Sequence, residues 1–123
     1  MTEPFATASI QVLPEAAPRP GAPLVLTVEG ELEETTAAPF SAALTEAVGG
    51  HDGPDVLLDL GRLYRLDPVG LDAIAAAAAR LAGHGRRLVL AGVRPRVREF
   101  LSLAGAEALV PVFPTLEQAG LHM

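Results

Sequence analysis

The chain is expected to adopt an α/β fold built on a mainly parallel sheet with an antiparallel opening hairpin. Three observations predict this. Apolar residues alternate between strand and helix spacing in the order β-β-α-β-α-β-α-β-α. Val56-Leu57-Leu58 with Leu60 is a near-continuous apolar run, the pattern of a strand covered on both faces. Strands alternating with helices imply right-handed crossovers between parallel neighbours. With 123 residues there is room for one domain, taken as 1–123 with its core at about 8–121 and a Pro-rich loop at 14–23.

The first strand is Ala8 to Leu13, where Ile10 and Val12 alternate with polar neighbours. Pro14, Pro18, Pro20, Gly21 and Pro23 follow and cannot sustain a ladder, because proline lacks the amide donor. Leu24 to Val28 is the second strand, expected to stop at Gly30. Phe40, Ala43, Leu44, Ala47 and Val48 then form one helical face. Thr36 is its expected N-cap, Pro39 is tolerated in the first turn, and Gly49-Gly50 ends it.

The central strand holds Val56-Leu57-Leu58 with Leu60, and Asp59 is expected to end it and to bond loop amides. A second helix opens at Asp67-Pro68, repeats Leu71, Ile74, Ala78 and Leu81 on one face, and closes at Gly83 and Gly85. The alanine run 75–79 lies inside it, and alanine is the strongest helix former. Arg87 to Val93 holds the next strand. A third helix starts near Pro95, with Val97, Phe100, Leu101 and Ala104 on one face. Leu109 to Phe113 is a short last strand and Thr115 to Leu121 a final helix, with Thr115 and Gln118 at capping-box spacing.

Composition excludes several chemistries. Half of the residues are hydrophobic and a fifth are charged, which is ordinary globular usage. There is no cysteine, so disulfides, thiolate nucleophiles and Cys-based zinc sites are out. All nine basic residues are arginine, which removes Schiff-base and Walker-type lysines. The net charge of −6 makes nucleic acid an unexpected partner. His51, His84 and His122 show no ligand spacing, and Gly83-His84-Gly85 follows a helix where phosphate loops precede one. No metal and no cofactor are therefore expected. The stretch MTEPFATAS at 1–9 has no basic region of the secretory kind. The most apolar run, Leu71–Leu81, is short of the roughly 20 residues a bilayer needs and carries Asp72 and Arg80. A cytoplasmic location without membrane insertion is the default expectation.

The most informative stretch is Leu66-Asp67-Pro68-Val69-Gly70-Leu71. Taken alone, Asp67 as N-cap and Pro68 as first helical residue account for it. It stands in a wider series: GELEETTA at 30–37, DVLLDLGRLYRLDPVGL at 55–71, GRRLVLAGVRPRVREFLSLAG at 85–105 and LEQA at 116–119. From about Ala8 to Leu121 this series resembles the STAS family (sulfate transporter and anti-sigma factor antagonist domains), especially single-domain bacterial anti-anti-sigma factors.

The resemblance implies a STAS-like fold: a small mixed sheet with an opening hairpin and about four helices packed mainly on one face. It implies a non-enzymatic protein-interaction module in transcription regulation. Its partner would be an anti-sigma factor that is also a serine kinase of the GHKL ATPase type. In the family that kinase phosphorylates the serine of an Asp-Ser-Ser/Ala-Gly pattern and so ends the interaction. A helix N-terminus accommodates phosphate well, and nearly two added charges would repel a docked partner.

Carried over residue by residue, Asp67 and Gly70 match the pattern, while the serine falls on Pro68 and the next position on Val69. Proline has no hydroxyl, so position 68 is a degenerate phosphosite. The aspartate of the family's Gly-Glu-Leu-Asp stretch falls on Glu33, and the residue before the proline of helix three is Arg94 where the family has Ser or Thr. The expected contact surface takes Glu33, Glu34, Thr35 and Thr36 from one loop. Arg65, Asp67, Pro68, Val69, Gly70 and Leu71 come from a second, and Arg94, extending to Arg98, from a third. Loops on a rigid scaffold are where recognition sits.

Three consequences of Pro68 stay open: binding without the switch, an adaptor for a different partner, or a switch moved to Thr35 or Thr36, whose other role is helix capping. Tyr64 is expected to be buried or half-buried. Glu31, Glu33, Glu34 and Asp67 are read as a solvated acidic rim. The alternating arginines are read as a solvated face or a local contact for an acidic partner. Two other functions stand beside the first: an accessory subunit of a membrane lipid-transport ATPase complex, and an enzyme or nucleotide sensor. The missing lysine and absent glycine loop weigh against the last.

Overall fold

A computed structural model describes residues 8–15, 22–51 and 53–121. Along it run β1 (Ile10–Pro14), β2 (Leu24–Leu32), α1 (Ala37–Gly49), β3 (Asp55–Leu66) and α2 (Pro68–Gly83). Then come β4 (Arg87–Ala91), α3 (Pro95–Leu103), a 3-10 turn (Ala106–Ala108), β5 (Val112–Phe113) and α4 (Leu116–Leu121). Much of the expected Pro-rich loop, residues 16–21, lies outside the described residues, as does His122.

The five strands are ordered β1-β2-β3-β4-β5. Only β1 is antiparallel to its neighbour; the other three pairings are parallel. When parallel strands follow chain order, right-handed crossovers all pass on one side of the sheet. That is where α1, α2 and α3 lie. Phe40, Leu44, Ile74, Leu81, Val97 and Leu101 pack there against Leu26, Val28, Leu58, Leu60 and Leu90 in one buried core. The short α4 crosses to the opposite face, where Ala119 and Leu116 cover Leu57, Val89 and Ala91. The mixed sheet with helices mainly on one face is thus as expected.

Two strands run further than their sequence suggested. Gly30 does not stop β2. It sits inside the strand opposite Ile10, at φ 120°, and a Cβ there would collide with the Ser9 carbonyl. Glycine is needed because the opening hairpin brings backbone that close. β3 runs to Leu66 instead of ending near Leu60. It pairs Thr27 with Asp59 but Glu29 with Arg62, and Gly30 with Leu63 but Glu31 with Arg65. Each of these irregularities adds one residue on β3 and shifts its inward phase by one. Leu58, Leu60 and Leu63 all point into the core as a result, a spacing that no simple alternation predicts.

The last strand is shorter than expected. Residues 106–108 form a 3-10 turn, and Leu109 is exposed ahead of β5. At the far end, the Arg86 side chain donates to the carbonyls of Val48 (3.2 Å), His51 (3.0 Å) and Gly53 (2.8 Å). It closes the C-terminus of α1, where carbonyls lack helical partners. Among the described residues no helix is long and apolar enough to cross a membrane.

Candidate functional site

The C-terminal ends of β2 and β3 lie side by side, and their following loops meet. The Asp67 amide donates to the Leu32 carbonyl at 3.2 Å, joining the two strand ends. Asp67 is the N-cap of α2, in extended conformation, and its Oδ1 accepts from the Gly70 amide at 2.7 Å. Its Oδ2 accepts from the Glu34 amide at 3.1 Å, on the neighbouring loop. One carboxylate therefore caps a helix and pins the β2–α1 loop. Both oxygens are engaged by amides.

Gly70 is buried, and a Cβ on it would fall well inside van der Waals contact with the Leu32 carbonyl oxygen. Only glycine lets the first turn of α2 lie this close to the end of β2. That closeness turns Pro68 and Val69 outward: Pro68 is exposed and Val69 is 41% exposed.

The residues expected at the contact surface separate into two sets. Glu34, Thr35, Arg65, Pro68, Val69 and Arg94 are exposed, and Glu33 and Asp67 are half-buried. Thr36, Gly70 and Leu71 are buried, so they support the surface and do not form it. Thr36 is the N-cap residue of α1, as expected, but its side chain makes no bond to the helix. Its hydroxyl turns back into the loop, donating to the Glu31 carbonyl at 2.6 Å and accepting from the Glu33 amide at 2.9 Å. Leu71 belongs to the core, 7% exposed.

Tyr64, expected to be buried or half-buried, is 52% exposed, and the Arg94 guanidinium lies 4.6 Å from its ring centroid. The bulged end of β3 explains why: the phase shift turns Leu63 in and leaves Tyr64 out. Arg94 Nη1 also donates to the Gly61 carbonyl at 3.4 Å. The Arg65–Glu33 pair is long, at 3.9 Å, and Arg65 is 74% exposed, so it contributes little stability.

The remaining polar residues do local work. Asp59 accepts from the Gly61 amide at 2.9 Å, as expected, but from within β3. Buried His51 meets the Ala22 carbonyl at 2.7 Å, and His84 meets that of Arg80 at 2.8 Å. Among the described residues no group of three His, Asp or Glu could hold a metal ion. A groove of about 410 Å³ between α1 and α2, floored by Leu44, Val48, Ala77 and Leu81, opens at the opposite end from Asp67.

The structure is thus of one class: a small α/β domain with helices mainly on one face of a mixed sheet and a helix-start corner pinned by Asp67 and turned outward. The chain belongs to the STAS domain family; the family model described as "Mlab, STAS domain" matches residues 15–111. It is 30% identical over 96 residues to BtrV of Bordetella bronchiseptica, described as an anti-sigma factor antagonist, covering 78% of this chain and 82% of that protein. It is similar to the crystal structure of an anti-sigma factor antagonist from Mycobacterium paratuberculosis. The TM-score there is 0.75 at 30% identity, over 90% of this chain and 91% of that one. The Bacillus cell fate determinant SpoIIAA in its phosphorylated form shares the fold. Its TM-score is 0.60 at 18% identity, over 90% of this chain and 96% of that one.

Proposed function

We propose that this chain is an anti-sigma factor antagonist: one interaction domain that regulates transcription by binding an anti-sigma factor with a serine kinase domain. The relatives from Bordetella bronchiseptica and Mycobacterium paratuberculosis are described as anti-sigma factor antagonists, and both are covered over most of their length. The observation that carries the reading is the corner Asp67–Val69, rigid at its base and exposed at its tip. A preformed knuckle loses little entropy on docking.

In this reading Pro68 occupies the phosphoacceptor position, so docking there is not ended by phosphate. Thr36 is a poor substitute acceptor, since its hydroxyl is buried and doubly bonded. Thr35 is exposed and is the remaining candidate in that loop. The test is pairwise binding to the anti-sigma kinases of the cell the protein comes from, then incubation with ATP. Binding with no phosphate at 67–70 is the expected result. Absence of binding to every such kinase would overturn the reading, and phosphate on Thr35 would show that the switch had moved.

One observation favours a second reading. The matching family model is described by Mlab as well as by the STAS domain. An accessory subunit of a membrane lipid-transport ATPase complex would present the same corner to a transport ATPase, and co-purification of that ATPase in place of a kinase decides between them.

A further inference from the structure

Five of the nine arginines, Arg62, Arg65, Arg94, Arg96 and Arg98, stand on the tail of β3 or at the start of α3. All five are exposed. β4 ends at Ala91, opposite Asp59, so the β3 tail beyond it pairs only with β2 and lies along an open border. Glu29 meets Arg62 at 3.2 Å and Glu33 lies 3.9 Å from Arg65. Among the described residues no carboxylate comes within ion-pair distance of Arg94, Arg96 or Arg98. Arg94 is laid over the exposed Tyr64 ring.

Arg62 and Arg65 are faced by Glu29 and Glu33, and Glu31 lies opposite Arg65, so the uncompensated positive charge is that of Arg94, Arg96 and Arg98, on a protein of net charge −6. A long polyanion or an anionic bilayer feels the whole molecule and is repelled by it. A short acidic stretch of protein feels only what lies within a Debye length, about 8 Å at physiological salt. Arg65 stands three residues before the exposed Pro68 and Val69, and contact surfaces commonly set a charged rim beside an apolar core. We propose that the arginine row is the charged half of the docking surface and takes an acidic segment of the partner protein. This rests on the docking role proposed above for the Asp67 corner.

Two experiments separate the claims. In the first, the isotope-labelled full chain is titrated with a short synthetic Glu- and Asp-rich peptide and followed by NMR. Shifts confined to residues 62–65 and 94–98 are expected, lost in the combined variant Arg62→Gln, Arg65→Gln, Arg94→Gln. They should be retained in Arg80→Gln, a control about 20 Å away along α2. Shifts elsewhere, no shifts, or stronger binding of duplex DNA or anionic vesicles would overturn the proposal. In the second, binding to the anti-sigma kinase is measured against salt. Val69→Asp should abolish it at every salt concentration. The triple arginine variant should weaken it about tenfold at low salt and hardly at all at high salt. Wild-type affinity in the triple variant overturns the row while leaving the docking role intact. No kinase binding by the wild type overturns the docking role, and the peptide titration then decides the row alone.

Discussion

Asp67 holds Glu34: its Oδ2 accepts the Glu34 amide at 3.1 Å while its Oδ1 caps α2 through Gly70 at 2.7 Å. The two loops that form the outward corner are thus one mechanical unit, although 33 residues separate the partners.

Removing that carboxylate should loosen both loops. An N-cap replaced by alanine costs about 1 kcal/mol, and the Glu34 amide loses its acceptor as well. Asp67→Ala is expected to lower stability by about 1–2 kcal/mol in urea unfolding and to speed hydrogen exchange at Glu34. Unchanged exchange at Glu34 would mean that the bridge between the loops is not formed in solution.

Gly70→Ala tests the close approach of α2 to β2. The new methyl would press on the Leu32 carbonyl, which is backbone and cannot rotate away. Overpacking of this kind costs about 1–3 kcal/mol, and the first turn of α2 should shift outward. A drop in melting temperature with weakened partner binding is expected; a variant as stable as wild type would contradict the packing.

Pro68→Ser restores a hydroxyl at the first helical position. The expected outcome is phosphate incorporation at residue 68 by the anti-sigma kinase, followed by release of the complex. The modification adds nearly two negative charges at the contact. Mass spectrometry and a binding assay read the two steps. Efficient phosphorylation without release would remove the reason for regarding Pro68 as the loss of a switch.

Thr36 is a loop anchor. Thr36→Ala leaves the Glu31 carbonyl and the Glu33 amide short of a partner, each part-buried. A loss of about 1–3 kcal/mol is expected in chemical unfolding. Thr36→Ser, which keeps the hydroxyl, should recover most of it.

Glu15 carries a pH signature. The hydrogen bond with Asp59 and partial burial raise its carboxyl above the ordinary glutamate value, against the lowering effect of the Thr27 hydroxyl bond at 2.8 Å. A raised folded-state value means that the folded protein holds the proton more tightly. The stabilisation is therefore complete below the ordinary glutamate range and is lost as pH rises through the raised value. Glu15→Gln, which keeps the shape without the charge, should be more stable than wild type near neutral pH. That advantage should vanish in acid. An advantage independent of pH would place its cause elsewhere.

Much of this architecture is legible in local pattern. The face Phe40, Leu44, Val48 marks α1, and the run Val56–Leu58 marks a strand covered on both sides, as the two core clusters bear out. Asp67-Pro68 marks the start of α2, and Thr115 caps α4 through the Gln118 amide at 3.0 Å. The corner itself was legible because capping is a short-range hydrogen bond between residues three apart. The end of β3 was not. Its two bulges are set by how β2 and β3 align, so Leu63 and Tyr64 exchange the faces that simple alternation assigns them.

Sequence by itself determined the order of elements, the parallel sheet and the absence of a hydroxyl at position 68, because each follows from residue type or from spacing within a few residues. Tertiary structure alone decided that Gly30 lies inside a strand, that Thr36 faces inward and that Asp67 reaches Glu34. Those outcomes depend on which distant backbone comes within hydrogen-bonding or contact distance, and that distance is fixed only when the sheet closes and the loops are brought together.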